Sequence, residues 1–127
     1  MSDAARSPAR RLESAAVADI VAWARRILGF SYREIGALAG ATPRTAQRWG
    51  NPDDPTVPRP AHRQALDHLR EMRRLLAGTF RDDQTVVAWV QRAVPLLDGR
   101  RPIDFIRCGE IEPVLHVLAG AYAGAFV

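Results

Sequence analysis

From Leu12 to Leu28 the apolar residues Leu12, Ala16, Ile20, Trp23 and Ile27 recur at helical spacing, with Val17, Val21, Ala24 and Leu28 widening the stripe. That period predicts an α-helix with one face against a core, ended by Gly29. The period returns further along. Leu66, Leu69, Arg73 and Leu76, flanked by Met72 and Leu75, predict a helix over 61–77 stopped by Gly78. Val86, Val87, Trp89, Val90 and Ala93 predict another, capped by Asp82 or Asp83 and ended by Pro95 and Gly99. A very short helix over 102–107, closed by Gly109, precedes a last one over 110–122 with Val114, Leu115, Val117, Leu118 and Tyr122 for packing. Pro113 is tolerated there because it falls in the first turn. No stretch alternates as a strand would, so the fold class is all-α.

Residues 31–49 carry the densest set of local signals. Ser31 followed by Glu34 is a capping box, in which the hydroxyl takes one free amide of the new helix and the carboxylate reaches back to another. Gly40 supplies the left-handed exit, and Thr42 caps a second helix whose first position is Pro43. Ile35, Ala39, Ala41, Ala46 and Trp49 are the inward positions of two short crossing helices, with Gly36 small at the approach. The pattern is that of a helix-turn-helix. Arg44, Gln47 and Arg48 then share the outer face of the second helix, which would enter the major groove, where Arg suits guanine and Gln adenine. Thr42, Thr45 and the helix start could meet phosphate. A plain αα-hairpin with a solvated polar face is the competing reading.

Composition sharpens this modestly. The 127 residues suffice for one domain or two small ones sharing a core. The net charge of +4 suits a polyanion without requiring one. All 18 basic residues are Arg, and residues 1–60 hold 9 of them against 6 acids, while residues 61–127 hold 9 against 8. The surplus sits on the half with the helix pair. Cys108 is the only cysteine and reads as a small core residue, which leaves no internal disulfide and points to a reducing, cytoplasmic setting. The first residues hold Asp3 and scattered Arg with no apolar stretch of signal-peptide type, and the longest candidate span, 117–127, falls well short of the roughly twenty residues a membrane helix needs. Residues 1–11 read as a loose arm, and the breaker-rich 50–60 as a loop beside the recognition helix.

Catalysis finds no support in the pattern. His62, His68 and His116 lack ligand spacing and read as solvated surface groups, so no metal is expected. Asp53-Asp54 and Asp82-Asp83 are loop or cap pairs, and no glycine-rich phosphate loop follows a strand. The expectation is a non-enzyme without cofactors. The final residues Phe126 and Val127, preceded by glycines at 120 and 124, would be an odd exposed finish for a monomer. They either fold back onto this chain or a dimer mate, or plug a partner's pocket.

Tyr32-Arg33-Glu34-Ile35-Gly36, Thr42-Pro43-Arg44-Thr45 and Trp49, then Trp89, Leu96-Leu97-Asp98-Gly99-Arg100-Arg101-Pro102-Ile103-Asp104-Phe105 and Cys108-Gly109-Glu110 together resemble the Xre/MbcA/ParS group of antitoxins. The resemblance covers residues 30–127, and its second block is the more specific. It implies an antitoxin that blocks a RES-domain, NAD-degrading toxin through a C-terminal domain and represses its own operon through the helix-turn-helix. By position, Arg44, Thr45, Gln47 and Arg48 become DNA readers beside Thr42. Gly124, Ala125, Phe126 and Val127 become the inhibitory tail, and Arg100 and Arg101 lie on the toxin-facing domain. The implied organisation is an arm (1–11), a DNA-binding region (12–60), a connecting helix (61–80) and a toxin-binding domain (81–127). Operator DNA and the toxin are the implied partners, in a homodimer or a toxin–antitoxin hetero-oligomer. A dimeric repressor without a toxin is the alternative.

Overall fold

A computed structural model of the chain describes residues 7–124. Seven α-helices follow one another among them: α1 (Pro8–Ile27), α2 (Tyr32–Ala39), α3 (Pro43–Trp49), α4 (Pro60–Thr79), α5 (Asp83–Val90), α6 (Pro102–Arg107) and α7 (Ile111–Tyr122). A 3-10 turn, Pro95–Leu97, lies between α5 and α6. The single β-type pairing among the described residues is one bridge between Val94 and Arg100. The fold is all-α. By contacts the chain divides into two units, 1–66 and 67–127, with the division falling inside α4.

In the first unit, α1 begins earlier than its hydrophobic stripe. Ser7 accepts from the Arg10 amide, and Pro8 occupies the first turn, where a missing N–H costs nothing. The cap therefore recruits residues 8–11, expected as part of a loose arm, into the helix. Leu12, at 73% exposure, and Ala16 both face solvent, outside the stripe they were expected to open. The buried face is Ser14, Val17, Ile20, Val21, Ala24 and Ile27 with their neighbours. Gly29, at φ +69°, turns the chain so that the Phe30 amide returns to the Ala24 carbonyl and the Phe30 ring is buried.

The next two helices are fixed by local chemistry at each end. The Ser31 hydroxyl accepts from the Glu34 amide and the Glu34 carboxylate from the Ser31 amide, both at 3.1 Å, so the capping box is complete. Gly40 leaves α2 at φ +72°. The Ala41 amide then donates to the Gly36 carbonyl at 2.8 Å, which closes the turn before Thr42 caps α3 through the Thr45 amide. Ile35, Ala39, Ala46 and Trp49 are buried between the helices and α1. Gly36 has no room for more: a Cβ there would lie 2.7 Å from the Ala41 carbonyl oxygen and 2.9 Å from that of Thr42.

In the second unit, the part of α4 beyond residue 66 buries Leu69, Met72, Leu75 and Leu76. The helix does not stop at Gly78 but continues to Thr79. Phe80 then packs its ring against Trp89 of α5, centroids 5.5 Å apart. Asp82 caps α5, whose last helical residue is Val90, so Ala93 lies beyond the helix and is exposed. Asp98 and Gly99 are both left-handed, at φ +57° and +72°, and fold the chain back so that the Val94 amide meets the Arg100 carbonyl. α6 and α7 pack on each other through Ile103, Ile106, Val114 and Leu118.

The crowding at Gly36 yields a stability test. Gly36→Ala adds a methyl against two rigid carbonyls and should cost about 1–3 kcal/mol despite alanine's better helix propensity. A urea midpoint equal to or above that of the parent chain would contradict the close crossing.

Candidate functional site

The outer face of α3 follows from which residues its core claims. Ala46 and Trp49 are buried, so Arg44, Gln47 and Arg48 are turned outward and exposed. Thr42 and Thr45 sit at the helix start, where both hydroxyls are engaged. Thr42 Oγ1 accepts from the Thr45 amide at 3.1 Å and lies 3.0 Å from Thr45 Oγ1. All five residues expected to meet DNA thus lie on one short helix and its cap. The two threonines are occupied with holding the helix start in shape.

Arg48 is braced by the following loop. Its Nε donates to Asp54 Oδ2 at 3.4 Å, while Asp54 Oδ1 accepts from the Thr56 amide at 2.8 Å. The Thr56 hydrogen bonds chiefly, with Arg48 adding to them, hold the Asp54 carboxyl below its ordinary range. Loop 50–59 is therefore a folded shelf beside α3. An open groove runs between them, lined by Gly40, Thr42, Thr45, Arg48, Trp49 and His62. Sequence reasoning missed Asp54 as the partner that orients Arg48.

His62 differs from its expected role as a solvated group. It is half-buried, its Nδ1 donates to the Ala39 carbonyl at 2.8 Å, and its ring meets that of Trp49 at 5.5 Å. The imidazole satisfies a carbonyl left free where α2 ends and ties the first turn of α4 to the helix pair. Nothing in the local sequence marks this, because the partner lies 23 residues away.

In the second unit the two arginines expected on the toxin-facing side are held differently. The Arg100 guanidinium lies 4.1 Å from the centroid of the Phe105 ring, leaving its charge at the surface. Arg101 clamps the first turn of α6. Its Nε and Nη2 reach the two Asp104 oxygens at 2.9 and 3.0 Å, and its Nη1 reaches Gln91 Oε1 at 3.3 Å. These hydrogen bonds from Arg101 hold the Asp104 carboxyl below its ordinary range. Beside them Leu96 is exposed at the crest of the 3-10 turn.

Gly124 is exposed and left-handed, at φ +99°, with its amide on the Ala121 carbonyl, which closes the end of α7. Ala125, Phe126 and Val127, expected in the same tail, lie outside the described residues, as does the arm over 1–6. Cys108 is exposed rather than a core residue, because α6 ends at Arg107 and the buried face closes with Ile106. Among the described residues no group of three or more His, Cys, Asp or Glu side chains could hold a metal. No described helix is long and apolar enough to cross a membrane.

The two histidine environments give a paired test. His62→Ala strands the Ala39 carbonyl and should lower stability by about 1–3 kcal/mol, whereas exposed His116→Ala should stay within about 0.5 kcal/mol of the parent. Equal denaturation midpoints for the two would remove His62 from the framework.

No protein-family model matches the chain. The mycobacterial cidal antitoxins MbcA of Mycobacterium bovis and Mycobacterium tuberculosis are each 33% identical to it over 111 residues, 87% of this chain and 96% of theirs. The crystal structure of the M. tuberculosis MbcT–MbcA toxin–antitoxin complex contains a chain that matches with a TM-score of 0.58 at 31% identity, covering 87% of this chain and 96% of that one. The match takes in both units, and by it the chain belongs to the family of the mycobacterial cidal antitoxin MbcA.

Proposed function

We propose that this chain neutralises a co-encoded RES-domain, NAD-degrading toxin by binding it, and represses their shared operon by binding operator DNA. The observation that carries the toxin half is the likeness, over nearly the whole of both chains, to an antitoxin solved in complex with its toxin. The assignment of a RES-domain partner rests on the resemblance of the block 96–110 to antitoxins of that group. In this reading the chain is a non-enzymatic, cytoplasmic binding protein.

The DNA half rests on α3. Its seven residues present Arg44, Gln47 and Arg48 outward from a cap held rigid by Thr42 and Thr45. A side chain reading bases must arrive in one orientation, and Asp54 supplies that for Arg48. Region 12–60 is the DNA-binding part in this account, 61–80 the connecting helix and 81–127 the toxin-binding part, with Arg100, Arg101 and residues 124–127 facing the toxin. A homodimer would match paired operator half-sites, and a toxin–antitoxin hetero-oligomer would bring both partners together.

Two measurements separate the halves. Arg44→Ala should weaken binding to the operator by about 1–3 kcal/mol with little change on random duplex. Equal loss on both, read by titration at fixed salt, would move Arg44 to a phosphate contact. Deleting residues 124–127 should leave operator affinity unchanged and release the NAD-degrading activity of the co-encoded toxin. Full neutralisation by the shortened chain would remove the tail from the account.

A further inference from the structure

Gly78 stands inside α4 with an ordinary helical backbone, where alanine would be the better helix former. What glycine provides there is room. A Cβ at residue 78 would lie 2.7 Å from Cδ2 of Tyr122 and closer still to Cε2, so the aromatic ring rests on bare helix backbone. One turn earlier on the same face, the Arg74 guanidinium lies over that ring at 5.5 Å from its centroid. Arg74 is itself held in place, with Nε and Nη2 donating to the two Glu71 oxygens at 3.0 and 2.7 Å. Tyr122 thus has a seat made of backbone beneath and a fixed cation above.

The seat does little for the core, since Tyr122 remains 53% exposed. Its effect is on direction. Tyr122 is the last residue of α7, and two residues later Gly124 turns the chain aside at φ +99°. These two devices in succession fix the last described residues of the chain.

We infer that the Tyr122–Gly78 seat, with Arg74, is a positioning element that presents residues 124–127 to the toxin. The inference rests on the proposed role of that segment. A segment leaving a fixed stem loses less freedom on binding than one leaving a frayed helix end, so the seat acts through pre-organisation and touches no reacting atom.

The experiment measures, by titration, the affinity for the co-encoded toxin of the full chain carrying Gly78→Ala, Tyr122→Ala or Tyr122→Phe. Each substitution is repeated in a chain lacking residues 124–127. Gly78→Ala and Tyr122→Ala should weaken toxin binding about tenfold in the full chain and have no further effect on the residual binding once the segment is gone. Tyr122→Phe, which keeps the ring, should match the parent within about twofold. The thermal midpoint of Gly78→Ala should not fall, because alanine favours the helix while expelling the ring. Unweakened toxin binding by both Gly78→Ala and Tyr122→Ala, when the deletion itself releases the toxin, overturns the seat and leaves the segment's role standing. Equal losses with and without the segment overturn it too, because the residues would then be acting on the toxin or the fold directly. A deletion that releases nothing overturns the underlying reading, and the seat with it.

Discussion

The backbone crossing of α2 and α3 at Gly36 is the constraint on which the first unit depends. With carbonyls of Ala41 and Thr42 where a side chain would begin, the turn can close only over a glycine, and the Ala41 amide then finds the Gly36 carbonyl. Once the turn is closed, the rotation of α3 about its own axis is settled by Ala46 and Trp49 going inward. The outward set Arg44, Gln47 and Arg48 is a consequence of that choice. Capping at Ser31 and Thr42 fixes where each helix starts, and the crossing fixes how they face one another.

Much of this was legible because the signals are local. A capping box, a left-handed glycine and a proline at a first turn act over three or four residues, so the bounds of α2 and α3 and the short α6 could be read directly. Positions whose meaning depends on a distant neighbour were not. His62 is indistinguishable from a surface histidine until Ala39 is seen across from it. Gly78 carries the same sequence signal as a helix stop, yet it serves a ring arriving from residue 122. Asp54 looks like half of a loop pair and turns out to orient Arg48.

Two further departures have local causes that the hydrophobic period hides. Ser7 and Pro8 extend α1 ahead of its buried face, which begins at Ser14, and Leu12 lies in that exposed opening of the helix. Cys108 follows the last buried position of α6 by two residues and so faces outward, despite apolar company in the sequence. In both cases a helix end, rather than the periodicity within the helix, decides exposure.

Each unit offers a surface of different character, one a short cationic helix face, the other an exposed leucine crest beside Arg100 and the clamped Arg101, with the end of α7. Hydrogen exchange of the full chain, bound separately to the co-encoded toxin and to operator DNA, tests the proposed division of labour most directly. DNA should slow exchange over α3 and the 50–59 loop, and the toxin should slow it over residues 94–101 and the last turn of α7. Protection of α3 by the toxin, or of the last turn of α7 by DNA, would contradict it.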